Sequence, residues 1–271
     1  MNIRRRGARS HASRIARLAA SGRIALLCIG ALAAFAPEAA PAAVGRGALW
    51  KVVEACLVTH ALTGGAFPCL EVNVSGGRER GYVVLRPPLS ASDLILAPTS
   101  RVAGVEDASL AAPDAPNYFE DAWRARKFLN GAPREPLPHD GVVLAVNSTP
   151  SRTQDQLHIH IGCLSPRARR TVEAFAAAAP ADQWLELGRP FHGLEFRARL
   201  LVQDSLVGVN PFRLAAEAWP GASVDRSLLT IAVAGVPLPR GREGFVLLAS
   251  WRGGRHSVEG LLLGGSDLDC R

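Results

Sequence analysis

Residues 156–161 read Gln-Leu-His-Ile-His-Ile, a strict polar–aliphatic alternation that only an extended backbone sorts into two faces. Leu157, Ile159 and Ile161 then enter a core together, while Gln156, His158 and His160 share the opposite face. The segment therefore predicts a strand over 156–163 in a sheet with a packed layer against it. Other β-type runs stand at 82–85, 93–97, 142–146, 230–234 and 245–251, and helical spacing at 48–57, 166–178 and 211–218. A further helix is predicted to start after Asn117 and run to about Leu129. Glu120 stands at capping-box spacing from Asn117, and Phe119, Trp123 and Leu129 mark one face, read as core. Residues 131–140 form a Pro-rich loop. Short strands separated by helices, with hairpin-like connections, predict an α+β fold around an antiparallel sheet.

Charge has to be located before it can be interpreted. The chain of 271 residues carries a net +7, which would suit an acidic polymer as partner. Seven arginines and one acid, Glu38, fall within residues 1–43, and these supply +6 of the +7. The remaining body has 24 basic and 23 acidic residues, a balance of +1, and does not fit a nucleic-acid binder. After Arg23 comes an uncharged run of 13 residues, 24–36, and then small-residue sites such as Ala40-Pro41-Ala42. Residues 1–43 therefore read as a signal peptide or signal anchor, and 44–271 as the folded domain. At roughly 1.5 Å per helical residue the apolar run falls short of a ~30 Å hydrocarbon core, so length favours cleavage over retention. The positive-inside rule puts the body outside the cytoplasm. Cys28 follows Leu27 rather than a small residue and does not fit a lipoprotein site.

The body contains four cysteines, Cys56, Cys69, Cys163 and Cys270. With no CxxC spacing and an oxidising compartment, two disulfides are expected rather than a metal site. Of the three possible connectivities, Cys56–Cys69 with Cys163–Cys270 is favoured: the first closes a short loop and the second ties the C-terminus to the central strand.

Three explanations fit the polar face of 156–161. It could be a solvated strand face, although histidine, with seven in the chain, is a scarce choice for solubility. It could supply two imidazoles to a metal, but no third ligand is evident, since Asp155 points to the opposite face. Or an imidazole could attack phosphorus, splitting one displacement into two through a phosphoramidate, with neighbouring donors stabilising the phosphoryl oxygens.

The segment resembles the histidine-triad (HIT) motif, H-φ-H-φ-H-φ-φ, whose middle histidine becomes nucleotidylated. Its surroundings extend the likeness: GYVVL at 81–85, LILAPTSRVAGVE at 94–106, PNYFEDAW at 116–123, LAVNS at 144–148, SRTQDQLHIHIGC at 151–163, NPF at 210–212 and GFVLLA at 244–249. Together they are similar to the bacterial CDP-diacylglycerol pyrophosphatases, a membrane-associated branch of the HIT-like superfamily, from about residue 48 to the end. The resemblance implies a HIT-like antiparallel sheet with packed helices behind an N-terminal hydrophobic segment. It implies an inner-membrane enzyme facing the periplasm, or a periplasmic one if the leader is cleaved. The expected activity is hydrolysis of CDP-diacylglycerol to CMP and phosphatidate, in phospholipid metabolism and without a metal or other cofactor.

On the same resemblance, His158 matches the nucleophilic middle histidine and His160 the third, near the scissile phosphate or leaving group. The first triad position is Gln156, which exchanges hydrogen bonds but holds no proton at neutral pH. Asn147 matches a polar residue near the nucleotide, and Arg152, Thr153 and Gln154 enter the motif on a loop suited to pyrophosphate oxygens. His192 lies in a region where the family tends to carry a polar cluster before an Ala-Arg pair, here Ala198-Arg199. His60, His139 and His256 are expected at the surface, and His11 belongs to the leader. Another HIT-type nucleotide hydrolase or transferase, or a non-catalytic exported binding domain, would carry the same residues.

Overall fold

The alternation at 156–161 is resolved as its chemistry requires: Leu157, Ile159 and Ile161 are fully buried in the principal core. The computed structural model describes residues 45–88, 93–129, 137–191, 193–220, 223–251, 257–264 and Cys270. The leader expected over 1–43, His192, His256 and most of the Pro-rich loop lie outside the described residues.

Helix α1 (Ala48–Thr63) precedes strands β1 (Glu71–Asn73), β2 (Tyr82–Leu85) and β3 (Leu94–Pro98). Helix α2 (Tyr118–Ala125) follows, then β4 (Val142–Val146), β5 (Ile159–Cys163) and α3 (Pro166–Ala178). The chain continues through β6 (Trp184–Phe191), β7 (Leu194–Leu201), α4 (Pro211–Ala216), β8 (Thr230–Leu238), β9 (Arg242–Ser250) and α5 (Val258–Leu262). Among the described residues the strands form one nine-stranded sheet in the order β1-β2-β3-β5-β4-β8-β9-β7-β6. Every paired neighbour is antiparallel. The expected α+β class with a large antiparallel sheet is thus observed.

The Asn117 cap forms as expected, its Oδ1 accepting from the Glu120 N–H at 3.1 Å, and α2 then buries Phe119 and Trp123 against the front of the sheet. Helix α4 packs Phe212 and Ala215 into the same layer. The back is covered in two separate blocks. Over β2 and β3, α1 sets Leu49, Trp50 and Val53 against Val83, Leu85, Ile95 and Ala97. Over β4, β8, β9 and β7, α3 and α5 set Ala168, Val172, Val258 and Leu262 against Val143, Ala145, Ala232 and Leu248. Strand β5 runs between these blocks, pairing with β3 through Ile95–His160 and with β4 through Ala145–His160. Its back-face positions are polar or empty, belonging to neither apolar cluster. One of them, Gly162, leaves room for α5: a Cβ there would stand 2.7 Å from Leu263 Cδ2.

Both favoured disulfides are present, Cys56–Cys69 and Cys163–Cys270. The first fastens α1 to the approach to β1, and the second, across 107 residues, joins the end of β5 to the C-terminal segment. A loop of that length restricts the unfolded chain by about 4–5 kcal/mol on the chain-entropy account.

Two expectations need correction. The strand predicted over 156–163 begins only at Ile159. Its ladder to β3 ends at Leu96–Ile159, β3 itself runs out at Pro98, and the Leu157 N–H turns instead to the Val102 carbonyl at 2.7 Å. His139, expected at the surface, is buried between Trp123 and Phe245, with ring centroids 4.8 and 4.5 Å away. Its Nε2 meets the Gly244 carbonyl at 2.8 Å and its Nδ1 meets Glu243 at 2.9 Å, so both polar atoms of the ring have partners inside the fold.

Candidate active site

His158 and His160 stand two residues apart on the back of the sheet, their rings 4.9 Å between centroids and nearly perpendicular. They face the break between the two back-face blocks. His158 is buried, and its Nδ1 lies 2.7 Å from the carbonyl of Gln156. A carbonyl can only accept, so Nδ1 carries the proton and Nε2 keeps a free lone pair. Burial, followed by the proximity of His160, depresses the His158 pKa to about 4, and burial does the same for His160. Both imidazoles are therefore neutral near pH 7.

Gln156 sits before the strand and not on its polar face. It is fully buried, and its amide Nε2 donates to the carbonyls of Pro98 at 3.1 Å and Ser100 at 2.9 Å. Those bonds pin the turn after β3 to the approach to β5 and so fix where the Gln156 carbonyl meets His158.

The loop ahead of the histidines is held by Arg152. Its guanidinium reaches Glu106 with Nη1 at 2.6 Å and Nη2 at 2.7 Å, Thr149 Oγ1 with Nη1 at 2.9 Å, and Asp155 with Nη2 and Nε at 3.1 and 3.2 Å. These contacts use the whole donor set of an arginine side chain. Gly104 packs against the guanidinium so closely that any side chain would displace it. Asp155 also accepts from Nε and Nη2 of Arg46, and this neighbouring guanidinium holds its carboxyl down at about 2. Gln154 Oε1 accepts from the Leu49 N–H at 2.9 Å, tying the loop to the start of α1, and Thr153 is exposed.

Asn147, just past the end of β4, is buried and its Oδ1 accepts from the Val258 N–H at 2.7 Å. It thereby seats α5 over the sheet. This brings Glu259 opposite the histidines, with Oε1 3.8 Å from His160 Nε2. Among the described residues, neither His160 Nε2 nor Glu259 Oε2 has a hydrogen-bond partner, although both atoms are buried.

A neutral buried imidazole with one nitrogen fixed and the other open is a nucleophile or base awaiting a reacting centre. Residues 44–270 match the family model described as CDP-diacylglycerol pyrophosphatase. The chain belongs to this family. It is also 35% identical over 204 residues to a CDP-diacylglycerol pyrophosphatase of Yersinia pestis, covering 75% of this chain and 76% of that one. CDP-diacylglycerol pyrophosphatases are hydrolases of a phosphoric anhydride, and the unpaired Nε2 of His158 lies at the break in the helical cover.

The two histidines meet as the sequence anticipates, and the approach to them carries Gln156, Gln154, Thr153 and Arg152. Three of the four residues expected to hold substrate have other bonds: Arg152 to carboxylates, Gln154 to α1, Asn147 to α5. Sequence reasoning overlooked two acids. Glu106, which orients Arg152, closes the LILAPTSRVAGVE block and was in plain view there. Glu259 lies in a short segment near the C-terminus with no local pattern to mark it; only α5 docking brings it to His160.

Proposed function

We propose that the chain cleaves CDP-diacylglycerol to CMP and phosphatidate through a cytidylyl-histidine, with His158 as nucleophile. Nε2 attacks the phosphorus bonded to cytidine, the new P–N bond replaces the P–O bond to phosphatidate, and phosphatidate departs with that electron pair. Its leaving oxygen belongs to a phosphate monoester, whose second pKa is about 6, so no strong acid has to protonate it. A glutamine in the first triad position is compatible with that step. Water then attacks the same phosphorus, the P–N bond breaks back onto Nε2, and CMP is released. The observation that carries this mechanism is the 2.7 Å contact of Nδ1 with the Gln156 carbonyl, which fixes the tautomer and steadies the positive charge that the ring gains on cytidylylation.

In this mechanism the loop 148–156 forms one wall of the substrate site. Arg152 and Gln154 hold the loop, Asn147 holds α5, and Thr153 is the member exposed to meet pyrophosphate oxygens. His160 adjoins the scissile group. We read His158, on the approach to β5, and His160, within it, as a HIT-like arrangement with Gln156 in first place. The leader over 1–43 would keep this site at the periplasmic face of the inner membrane, where a two-chain lipid of phospholipid metabolism resides. Rapid quenching of the protein with CDP-diacylglycerol in detergent micelles, followed by intact mass and peptide mapping, tests the mechanism. A cytidylyl group on His158 that forms and decays at the turnover rate is expected. Turnover with no adduct, or an adduct on another residue, would overturn it.

A further inference from the structure

Two orphaned atoms on neighbouring side chains, His160 Nε2 and Glu259 Oε2, have no part in a one-histidine mechanism. Both are buried, and burial of a polar atom without a partner is unfavourable unless something else uses it. Glu259 Oε1 stands 3.8 Å from His160 Nε2, about 1 Å beyond hydrogen-bond length and within reach of a side-chain rotation. Catalytic contacts are often this loose before substrate binds. The carboxylate is delivered by α5, which is seated by Asn147 at its start and by the Ser165 N–H on the Leu262 carbonyl, at 2.7 Å, at its end. Three elements thus converge to set one acid opposite one imidazole.

We propose that Glu259 is a positioning residue for the second half of the reaction: it takes the Nε2–H of His160 and leaves the other ring nitrogen to accept a proton from the hydrolytic water. The inference rests on the cytidylyl-histidine reading. As water attacks the adduct, its oxygen bonds to phosphorus, the P–N bond electrons return to His158, and the water proton passes to His160. The resulting imidazolium is stabilised by the Glu259 carboxylate and returns its proton to solvent after CMP leaves. With Glu259 3.8 Å away, burial holds the His160 pKa at about 4, that of a weak base; closing the contact during water attack would favour the protonated ring. Among the described residues, the other charged or titratable groups facing this pair are His158 on the approach to β5, Arg152 behind it, and Asp93 over Gly162. Strands β4 and β8, against which α5 packs, present Val143, Ala145, Ala232 and Ala234 there, none of which titrates. The first half of the reaction needs no base, because His158 attacks with a lone pair already free. Glu259 therefore separates two steps that His158 joins.

Full-length wild type, Glu259→Gln and Glu259→Asp, given CDP-diacylglycerol in detergent micelles, distinguish the steps. Glu259→Gln is expected to release its first equivalent of phosphatidate at nearly the wild-type rate. Its CMP release falls about 100-fold, in the range of general-base effects, and cytidylyl-protein accumulates. Glu259→Asp recovers part of the CMP rate, and the acid limb of the wild-type kcat–pH profile disappears in Glu259→Gln. A merely structural role would slow both steps together, with aspartate no better than glutamine, and would overturn the proposal. So would unchanged CMP release in Glu259→Gln when the wild type shows the phosphatidate burst. If no protein shows a burst or an adduct, the His158 mechanism fails and this assignment fails with it.

Discussion

His139 and His158 are equally buried, at 6% and 7% exposure, and each has a ring nitrogen against a backbone carbonyl. They differ in what is left over. His139 spends its second nitrogen on Glu243 and is enclosed by Trp123 and Phe245, so the fold uses the whole side chain. His158 keeps Nε2, and its neighbour His160 holds a buried Nε2 with no partner among the described residues. Burial alone therefore separates nothing here. Unused hydrogen-bonding capacity in a dry place does, because that is what a reacting group can occupy.

Exchanging the two effects is the strongest way to break this contrast. His158→Ala is expected to lower turnover by about 10³-fold or more, with a stability loss of about 1 kcal/mol from the orphaned Gln156 carbonyl, smaller than that of His139→Ala. His139→Ala is expected to reduce stability by about 2–4 kcal/mol, from the lost ring packing and the orphaned carbonyl, with activity per folded molecule retained. Urea titrations beside CMP-release assays measure both, and the reverse assignment of effects would remove the distinction.

Acid stability sharpens it next. His158 and His160 titrate near 4 in the folded protein against 6.5 in the unfolded chain. As pH falls from 6.5 toward 4 the unfolded state takes up protons that the native state does not, so stability declines through that window and is fully present above it. The slope is on the order of 1 kcal/mol per pH unit for each histidine, and His158→Ala should flatten it in denaturant midpoints measured at several pH values. A stability that stayed level through this window would contradict buried, neutral imidazoles.

The smallest effect concerns Gln156. Restoring a histidine at the first triad position is expected to cost about 1–2 kcal/mol and to give no gain in turnover, since its amide already bridges the Pro98 and Ser100 carbonyls. A faster Gln156→His enzyme would show that the position retains an acid role.

Much of this was legible because it is local. The two-residue period placed Leu157, Ile159 and Ile161 in the core, Asn117 announced its helix, and residues 142–146 and 166–178 form β4 and α3 at the positions expected. Strand β6 stayed hidden because its ladder is broken by register shifts around Gly188 and its burial follows no simple alternation. The true start of β5 depended on where β3 ends, and the interior place of His139 depended on Phe245, a residue of β9. Arg152 was expected to face phosphate because its type and loop suit that work; the carboxylates that absorb its donors come from Glu106, distant in sequence, and Asp155, close by. Pairings across the sheet and between loops leave no periodic mark.

The Cys163–Cys270 bond closes a ring in which β5 and the segment bearing α5 are the two ends. His160 lies three residues before one sulfur, and Glu259 eleven before the other. If α5 lifts off the sheet, the carboxylate is tethered on both sides, by the chain from β9 and by the disulfide, and stays at an effective concentration on the order of millimolar beside His160. Reduction of the bond would remove one of those two tethers.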